Sequence, residues 1–492
     1  MRYFDLAVIL GYLAGITWFG ARFRKAQHSL RDYFLGGRNA PWWAIGLSIV
    51  SAETSTLTVI GTPALAFGGN LGFLQLVLGY LAARLVISLV FLPQYFRGEM
   101  FTAYELMRRR FGERVRKLAA GVFLATRALA EGVRVFAVSL VISIVLGAGE
   151  IQSIALIVIL TLFYTFEGGM TAVIWTDVAQ MTLYVSGAIL SFAALLHRIP
   201  GGWEHLLAVA GAAHKLTVFD FRFSPDMAFF SRPYSFWAGL VGGCFLTTAS
   251  HGTDQLMVQR LLSARNQAQS RAALLGSWLV VFFQFTLFLF IGLGLYVFHG
   301  ANQSAPPGRL DRLYPEFIWN RLPHGLAGLL IAAILAAAMA NLSAALNSLS
   351  STVVVDFFHA PAKGLSERKS LRLARLATVF WGVVLLGIAI GARYSAKPVL
   401  EMGLTIGSIP AGALLGVFLL GVLTRKPRER AAMAGMAAGL LAVGLVALGT
   451  RVAWTWYVPV GTVATFTAGL AASWFEGPVE AESGWNGKSG TN

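Results

Sequence analysis

The segment FEGGMTAVIWTDVAQM, residues 166–181, contains a single aspartate, Asp177, at the mouth of a long apolar tract. The tract itself, residues 178–196, has no charged residue and is about long enough to cross a bilayer. A charged side chain at such a place is costly and marks an ion pathway or a buried pair. Asp is also a favourable helix N-cap. Asp177 is therefore a cation ligand or a helix cap, and its own segment leaves both interpretations open.

A second polar group interrupts the apolar segment WWAIGLSIVSAETSTLTVIGTPALAFG, residues 42–68. The group consists of Ser51, Glu53, Thr54, Ser55, Thr56 and Thr58. Hydroxyl groups in packed membrane helices often bond to their own backbone, but a carboxylate must face protein or a water-filled cavity. A helix that breaks here would aim free carbonyl and N–H groups inward, which is how membrane proteins build sites for small solutes and ions.

The segment LVGGCFLTTASHGTDQLMVQRLLSARN, residues 240–266, repeats this pattern. A glycine pair, Gly242 and Gly243, stands in the middle of the apolar run and a polar cluster follows it. We expect this span to be interrupted as well. His251 within the cluster is either a proton relay or a hydrogen-bonded structural histidine, and the second role is the more common one.

Charged residues also occur inside two further apolar tracts. In TRALAEGVRVF the residues Arg127, Glu131 and Arg134 share one helix face, and Arg84 lies midway along another tract. Guanidinium groups bind carboxylates through two parallel hydrogen bonds, so these arginines could receive an anion. The alternative is a buried ion pair that locks helices together. Glu131 can neutralise only one of these two α-helical neighbours, Arg127 and Arg134, so the positive charge of the other stays unmatched.

A polar stripe runs through the segment IAAILAAAMANLSAALNSLSSTVVVDFF, which is otherwise made of alanine and leucine. Its members are Asn341, Ser343, Asn347, Ser348, Ser350 and Ser351. Small residues allow helices to pack closely, which is one explanation. A row of hydroxyl and amide oxygens near Asp177 would also coordinate a hard cation.

Composition shows which kind of chain carries these residues. Of the 492 residues, 56% are hydrophobic and 13% are charged, whereas soluble domains carry about 25% charged residues. Backbone groups in lipid must bond within their own segment, so the spans should be helices. The formal net charge is +16, but the charges cluster in short loops, which argues against nucleic acid as a partner. The lone cysteine, Cys244, excludes a disulfide framework and a cysteine-rich metal site.

The apolar tracts predict an all-α polytopic membrane protein with about thirteen spans. They are 4–21, 41–67, 71–96, 117–147, 150–166, 171–197, 235–262, 271–298, 325–358, 372–396, 399–424, 429–450 and 454–475. The two interrupted spans each begin a block of five helices, 41–197 and 235–424. The blocks start on opposite sides of the membrane, which predicts an inverted five-helix repeat. Residues 1–40 hold the first span and a loop, residues 425–475 hold two further spans, and residues 476–492 form a tail.

The basic residues predict the orientation. With the N-terminus outside, the inner loops hold 24 lysines and arginines, and the outer loops with the N-terminus hold eleven. Cytosolic loops carry such an excess, so we expect a multi-pass plasma (inner) membrane protein with a cytosolic C-terminus. The tract FTAYELMRRRFGERVRK, residues 101–117, is expected to be an amphipathic helix at the cytosolic interface. The expected partners are the lipid bilayer and a small-molecule substrate, with no nucleic acid and no obligate protein partner.

Several of these segments together resemble the sodium/solute symporter family over roughly residues 30–475. The resemblance rests on RDYFLGGR, GTPALAFGGNLGF, TAYELMRRRFG, EGGMTAVIWTDVAQ, GTDQLMVQRLLSARN, LNSLSSTVVVDF and GALLGVFLLGV, which occur in this order. It implies a secondary active transporter with the inverted-repeat fold, not an enzyme. It also implies Na⁺ as the coupling ion and no organic cofactor.

The resemblance assigns roles to residues one by one. One sodium site corresponds to the carbonyls of Ser51, Thr54 and Ala337 and to two hydroxyl positions occupied here by Ala340 and Asn341. Serine or threonine is usual at both positions, so this site is weakened, altered or lost. Asp177 with Ser343 corresponds to a second cation site, and Glu53 stands where related proline carriers have a sodium-binding aspartate. The implied substrate contacts are Ser55, Thr58, Gln75 and an arginine at 127 or 134.

The sequence therefore predicts Na⁺-coupled symport of a small polar or anionic organic solute into the cell by alternating access. Within the family, the resemblance favours the cation role of Asp177 over the cap. One alternative within transport is coupling to H⁺, in which Glu53 and Asp177 would bind and release protons. Another is transport without coupling to a cation. The alternative from another class is a transporter-like sensor or channel. Broken helices around a site in mid-membrane argue against a channel.

Overall fold

The computed structural model describes residues 2–22, 38–97, 103–164, 170–224, 226–302, 305–353 and 367–476, and these residues form helices joined by loops, with no strand among them. The predicted loop before residue 38 and the predicted tail from residue 477 lie outside this part of the chain. Most of RDYFLGGR and the first two residues of the predicted interface helix also lie outside it. The expectation of an all-helical chain is confirmed for the described residues.

The helices in the first half are α1 (Tyr3–Ala21), α2 (Trp42–Glu53), α3 (Thr56–Gly68), α4 (Leu74–Tyr95), α5 (Ala103–Phe111), α6 (Glu113–Leu146), α7 (Glu150–Tyr164), α8 (Met170–Arg198) and α9 (Gly202–Ala212). The helices in the second half are α10 (Met227–Ser231), α11 (Gly243–Gly252), α12 (Gln255–Leu262), α13 (Gln267–Ala301), α14 (Leu313–Arg321), α15 (Leu326–Thr352), α16 (Glu367–Ala392), α17 (Val399–Leu423), α18 (Glu429–Gly449) and α19 (Tyr457–Ala472).

Within the described residues, eight helices are long and apolar enough to cross a membrane, or nine if α2 and α3 count as one bent span. The bend between α2 and α3 is 64°. It occurs at Thr54 and Ser55, whose ψ angles of 88° and 173° lie outside the helical region. The predicted interruption of the second span is therefore confirmed, and it lies within the polar cluster that predicted it.

The other predicted interruption exists, but at a different place. The chain breaks at Thr253, where the Asp254 side chain begins α12 by accepting a hydrogen bond from the Leu256 N–H at 2.8 Å. The glycine pair expected to mark the break is helical and serves close packing instead. A Cβ on Gly243 would lie 3.2 Å from the Gly79 Cα of α4, and it would collide with the Leu76 carbonyl oxygen.

Contacts between helix ends define the two ends of the bundle. End A is where α5 and α6 meet the turn after α17, since Arg110 donates to the Thr424 carbonyl and the Arg114 N–H donates to Glu429. End B is where the end of α3 meets the start of α17, through a segment that contains Asp311. The broken helix α2–α3 lies between these ends, with α6, α11–α12 and α17 around the break.

Candidate functional site

A cavity of about 260 Å³ lies at the break between α2 and α3. Its polar wall residues include Glu53, Ser55, Thr58, Arg127, Arg134 and His251. Much of the remaining wall is apolar and aromatic, with Phe73, Tyr80, Phe123 and Phe285 among its members. A largely apolar cleft with a few converging polar groups is the usual form of a small-molecule site.

One face of α17 forms a wall of this cavity. The wall residues Leu400, Gly403, Leu404, Gly407, Ala411 and Leu414 recur every three or four positions, so they lie on one side of the helix. At end B the cavity is closed by Leu400 against α3. A Cβ on Gly61 would lie only 2.6 Å from the Leu400 Cβ, so glycine is required for this contact.

Glu53 is held by a buried arginine that does not line the cavity. The Arg84 Nη2 lies 2.6 Å from the Glu53 Oε2, and Arg84 is fully buried and also donates to the Ser277 hydroxyl. Arg84 is not a wall residue of the cavity. The interpretation of Arg84 as an anion receptor is therefore wrong. Its function is to neutralise the carboxylate at the end of α2.

His251 brings the second broken helix to the same carboxylate. Its Nε2 lies 3.4 Å from the Glu53 Oε2, and its Nδ1 lies 2.9 Å from the Ser250 hydroxyl. These contacts agree with a structural histidine held by neighbouring groups. Glu53 thus stands where the breaks of α2–α3 and α11–α12 meet, and it links the two halves of the chain.

Two arginines of α6 line the cavity, and both contact the same carboxylate. Arg127 and Arg134 lie 3.0 Å and 2.5 Å from the Glu131 Oε1. Glu131 is 1% exposed, and its Oε2 has no hydrogen-bond partner among the described residues. The buried ion pair and the anion receptor are thus compatible. Two guanidinium groups share one negative charge, which leaves one positive charge in excess at the cavity wall.

Asp177 is not a helix cap, because α8 begins at Met170, two turns before it. Its carboxylate accepts hydrogen bonds from Ser48 at 2.6 Å, from Ser51 at 3.3 Å and from Arg260 at 3.0 Å. These contacts join α8 to α2 and α12. The expectation that Asp177 lies at a cation site stays a prediction. No described hydrogen bond joins it to Ser343 of α15.

Sequence reasoning missed two partners of Asp177. Arg260 was counted among the basic residues of the inner loops, but it lies in α12, after the break, and is buried. The Arg260 Nε also donates to Ser48 at 2.9 Å, which closes a small network of three side chains. A serine in an apolar run gives no signal of its own for such a role.

The positions assigned to sodium lie on α2, α3 and α15. Ser51 and Thr54 stand at the break, where the regular helical ladder of carbonyl acceptors stops. The Thr54 hydroxyl is paired with Gln284 of α13 at 3.0 Å, a partner that the sequence did not predict. Asn341 reaches the break from the other side and shares a cavity of about 10 Å³ with Ser55 and Thr56.

The remaining positions of α15 differ in accessibility. Ala337 and Ser343 are buried, while Ala340 is exposed. Ala340 therefore lies at an accessible position and contributes no side-chain oxygen. The roles of these residues in binding a cation stay predictions, and so does the role of Glu53.

Of the predicted substrate contacts, Ser55 and Thr58 line the cavity and Gln75 does not. The Gln75 amide donates to the carbonyls of Gly72 and Tyr234 and accepts from the Asp220 N–H at 2.9 Å. Both ends of this side chain are used to hold a loop against the start of α4. The structure thus places Gln75 in a bracing role, because its polar atoms point away from the cavity.

Comparison with known proteins agrees with this architecture. The model of the sodium:solute symporter family matches residues 33–439, which is most of the chain. The human sodium/iodide cotransporter is 29% identical over 453 residues, covering 90% of this chain and 69% of the relative. The sodium/sialic acid symporter SiaT of Proteus mirabilis is 27% identical over 482 residues, covering 95% and 94%. The bovine sodium-coupled monocarboxylate transporter 2 is 28% identical over 475 residues, covering 94% and 75%.

Solved structures give the same result. A substrate-bound, outward-open Na⁺-coupled sialic acid symporter superimposes with a TM-score of 0.83 at 27% identity, covering 96% of this chain and 98% of that one. Mhp1, a nucleobase-cation-symport-1 family transporter in a closed conformation, superimposes with a TM-score of 0.54 at 12% identity, over 90% and 93% of the two chains. The second match shows the fold alone. With its broken helices, its cavity and a family match over most of its length, the chain belongs to the sodium:solute symporter family.

Proposed function

We propose that this protein is a Na⁺-coupled symporter that carries a small polar or anionic organic solute into the cell by alternating access. The observation that carries the proposal is the cavity at the α2–α3 break. Hydroxyl groups, a surplus guanidinium and main-chain groups released by the break converge there, between two helices that are both discontinuous. The family and its relatives are transporters and not enzymes, and relatives carry solutes with sodium.

The solute is proposed to bind between Ser55, Thr58 and the two cavity arginines of α6. Arg127 and Arg134 both reach the cavity and share Glu131, so an anionic group on the solute would match the remaining positive charge. The cavity volume of about 260 Å³ is just below the usual range of small-molecule pockets. This size favours a compact metabolite.

The coupling ion is proposed to bind at the same break, between Ser51, Thr54, Ala337 and Asn341. Hard cations prefer oxygen ligands, and the carbonyls of the first three residues and the amide of Asn341 offer them. Ala340 offers no side-chain oxygen, so we propose a retained site of low affinity. Asp177 and Ser343 are proposed to form a transient binding site for a cation that leaves towards end A. Arg260 is proposed to pair with Asp177 when no cation is bound there.

Coupling to H⁺ is the rival, and contacts of both acidic residues argue against it. Glu53 is paired with Arg84 and Asp177 with Arg260, at 2.6 Å and 3.0 Å between charged atoms. Each of these carboxylates is therefore already matched by the permanent positive charge of an arginine. No observation among the described residues favours a sensor or a channel.

The proposed topology has thirteen spans, with end A cytosolic and the N-terminus outside. It rests on the excess of basic residues in the loops assigned to the cytosol. It includes an inverted five-helix repeat of residues 41–197 and 235–424, the flanking elements 1–40 and 425–475, and a cytosolic tail, 476–492. The proposed location is the plasma (inner) membrane, without an obligate protein partner.

Thermal unfolding of the purified protein tests this proposal. The midpoint is measured in NaCl and in KCl of equal ionic strength, against a panel of small carboxylates, amino acids and sugars. Ligands that bind only the folded state raise the midpoint. We expect Na⁺ to raise it alone and a solute to raise it further when Na⁺ is present. Equal midpoints in both salts with every solute would contradict the proposal.

A further inference from the structure

A short segment before α14, residues 309–312, holds the start of α17. Both carboxylate oxygens of Asp311 accept from the Val399 N–H, at 3.1 Å and 3.2 Å, and Asp311 is 1% exposed. Pro398, which precedes α17, provides no side-chain cap of its own. Asp311 therefore caps α17 from a distant part of the chain, as an aspartate at a helix N-terminus does locally.

Arg309 extends this attachment to the neighbouring helices. Its Nη2 donates to the carbonyls of Arg393 and Ser395 at 2.7 Å and 3.0 Å, just after α16, and its guanidinium lies over the ring of Phe136 of α6. Leu310 packs where α3 ends, 3.2 Å from the place a Cβ on Gly68 would occupy. The segment thus ties the start of α17 to α3, α6 and α16.

The position of the start of α17 decides whether the cavity is closed at end B. Leu400, the residue after the capped Val399, packs against Gly61 of α3 and lines the cavity. Opening the cavity at end B requires the start of α17 to separate from α3. Since Asp311 holds that start, its hydrogen bonds must loosen or break when the end opens.

The carboxylate of Asp311 is poorly compensated while it is ionised. Among the described residues, its two oxygens share one N–H donor, and the cation that pairs with it, Arg309, lies 4.0 Å away. Burial raises the pKa of Asp311 to about 6, against the opposing effects of the Val399 hydrogen bond and of Arg309. Once α17 moves away and water reaches the carboxyl group, its pKa falls towards the ordinary value of about 3.9.

The direction of the proton effect follows from linkage. A proton binds more tightly to the arrangement in which the pKa is higher, which is the closed one. Lowering the pH through about 6 therefore favours the closed arrangement. A protonated carboxyl group still accepts from the Val399 N–H through its carbonyl oxygen, so the cap survives without the cost of a buried charge.

We propose that Asp311 is a proton-sensitive latch at end B: the neutral carboxyl group holds the start of α17 against α3, and the ionised group allows it to leave. Asp311 is a positioning residue, since it does not line the cavity and acts through α17. The latch acts on the start of α17, whichever solute and coupling ion the cavity receives.

The other charged groups near the latch have their own partners or lie on the neighbouring turn. Arg312 pairs with Glu316 at 2.8 Å, and Arg393 pairs with Glu150 at 3.7 Å. Lys397 and Glu401 flank the start of α17. Of the described residues, Arg309 is the cation within 4.0 Å of Asp311. Glu401 and Glu316 are carboxylates close to the latch, so variants of both serve as controls when the latch is tested.

Hydrogen–deuterium exchange of peptides from residues 396–406 measures the latch without a known solute. The purified full-length protein is compared at pH 5 and pH 7.5, with rates corrected for the intrinsic effect of pH. The pKa values of about 6 and about 3.9 predict roughly tenfold slower corrected exchange at pH 5 for the wild type. Asp311→Asn should exchange slowly at both values of pH, and Asp311→Ala should exchange fast at both.

Two controls separate the latch from general stability. Glu316→Gln and Glu401→Gln should keep the wild-type pH effect, and peptides of α18 should exchange alike in all variants. The proposal is overturned if wild-type protection of 396–406 is the same at both values of pH, a result that needs no variant to fold. It is also overturned if the Asp311→Asn protein exchanges as fast as the Asp311→Ala protein.

Discussion

At the scale of single residues, the site is built from charges that are matched across elements. Asp177 with Arg260, Glu53 with Arg84 and Glu131 with two arginines each place a carboxylate against guanidinium groups inside the bundle. Buried pairs of this kind add little net stability, but they are costly to break. Their value here is positional, because each pair fixes a polar group at a break or at the cavity wall.

The variant Asp177→Asn tests the proposed transient cation site at Asp177. The amide keeps the size of the side chain and accepts from Ser48, but it removes the negative charge that faces Arg260. We expect Na⁺-coupled uptake to fall at least tenfold with folding largely intact. Uptake into proteoliposomes is measured against Na⁺, with Glu204→Gln on the surface of α9 as the matched control. Wild-type uptake with wild-type Na⁺ dependence would mean that Asp177 has a structural role alone.

The variant Ala340→Ser tests the proposed low-affinity sodium site. Ala340 is exposed, so a hydroxyl group fits there and adds an oxygen ligand without removing one. We expect the half-saturating Na⁺ concentration to fall several-fold, measured by uptake or by thermal shift without solute. Ala212→Ser, at the exposed end of α9, is the matched control. An unchanged Na⁺ response in Ala340→Ser would exclude this position from the site.

The sequence identified individual site residues better than it identified their partners. Arg127 and Arg134 were predicted from charges within an apolar tract, and Ser55 and Thr58 from the resemblance, and all four line the cavity. Gln75 was predicted from the resemblance, but it braces a loop. The pairing of Arg84 with Glu53 spans 31 residues, and that of Arg260 with Asp177 spans 83. Neither spacing is periodic, so no local pattern could reveal these contacts.

At the scale of elements, helix ends carry the functional geometry. The break between α2 and α3 was predicted from its polar cluster and lies there. The break before α12 was predicted at a glycine pair, and it lies instead where Asp254 caps the next helix. Glycine lowers the cost of a break, but it also lets helices approach closely, and sequence alone does not separate these uses. A cap residue directly after Gly252 and Thr253 was the better signal.

The start of α15, which carries the proposed sodium residues, is held by the first helix. Asp5 of α1 accepts from the N–H groups of Gly325 at 2.7 Å and of Gly328 at 3.0 Å, and it pairs with Arg2 at 2.9 Å. Asp5 is fully buried. The first helix thus caps α15 from outside the proposed repeat, in the same way that Asp311 caps α17.

The variant Asp5→Ala tests this attachment. Loss of two charge-assisted hydrogen bonds should expose the first turn of α15 at a cost of about 2 kcal/mol. We expect faster hydrogen exchange in residues 325–331, little change in α18, and a weaker Na⁺ response because α15 is less well placed. Asp226→Ala, which removes an exposed cap of the short helix α10, is the control. Unchanged exchange of 325–331 would show that α1 does not hold α15.

At the scale of the whole molecule, two discontinuous helices meet at one cavity whose far wall, α17, is attached at end B. The Asp177 network lies on the α2, α8 and α12 side, and the Asp311 segment lies at the start of α17. Two separate sets of contacts, one on each side of a central cavity, are what alternating access requires. Movement of one set while the other holds would expose the cavity to one side at a time.

The most direct test of Na⁺-coupled symport is uptake into proteoliposomes of a solute that stabilises the purified protein together with Na⁺. An inward Na⁺ gradient and an inward H⁺ gradient are imposed separately at the same membrane potential. We expect solute to accumulate above its external concentration under the Na⁺ gradient, and to equilibrate without accumulation under the H⁺ gradient. Accumulation driven by H⁺, with no effect of Na⁺, would contradict the account and assign the coupling to protons.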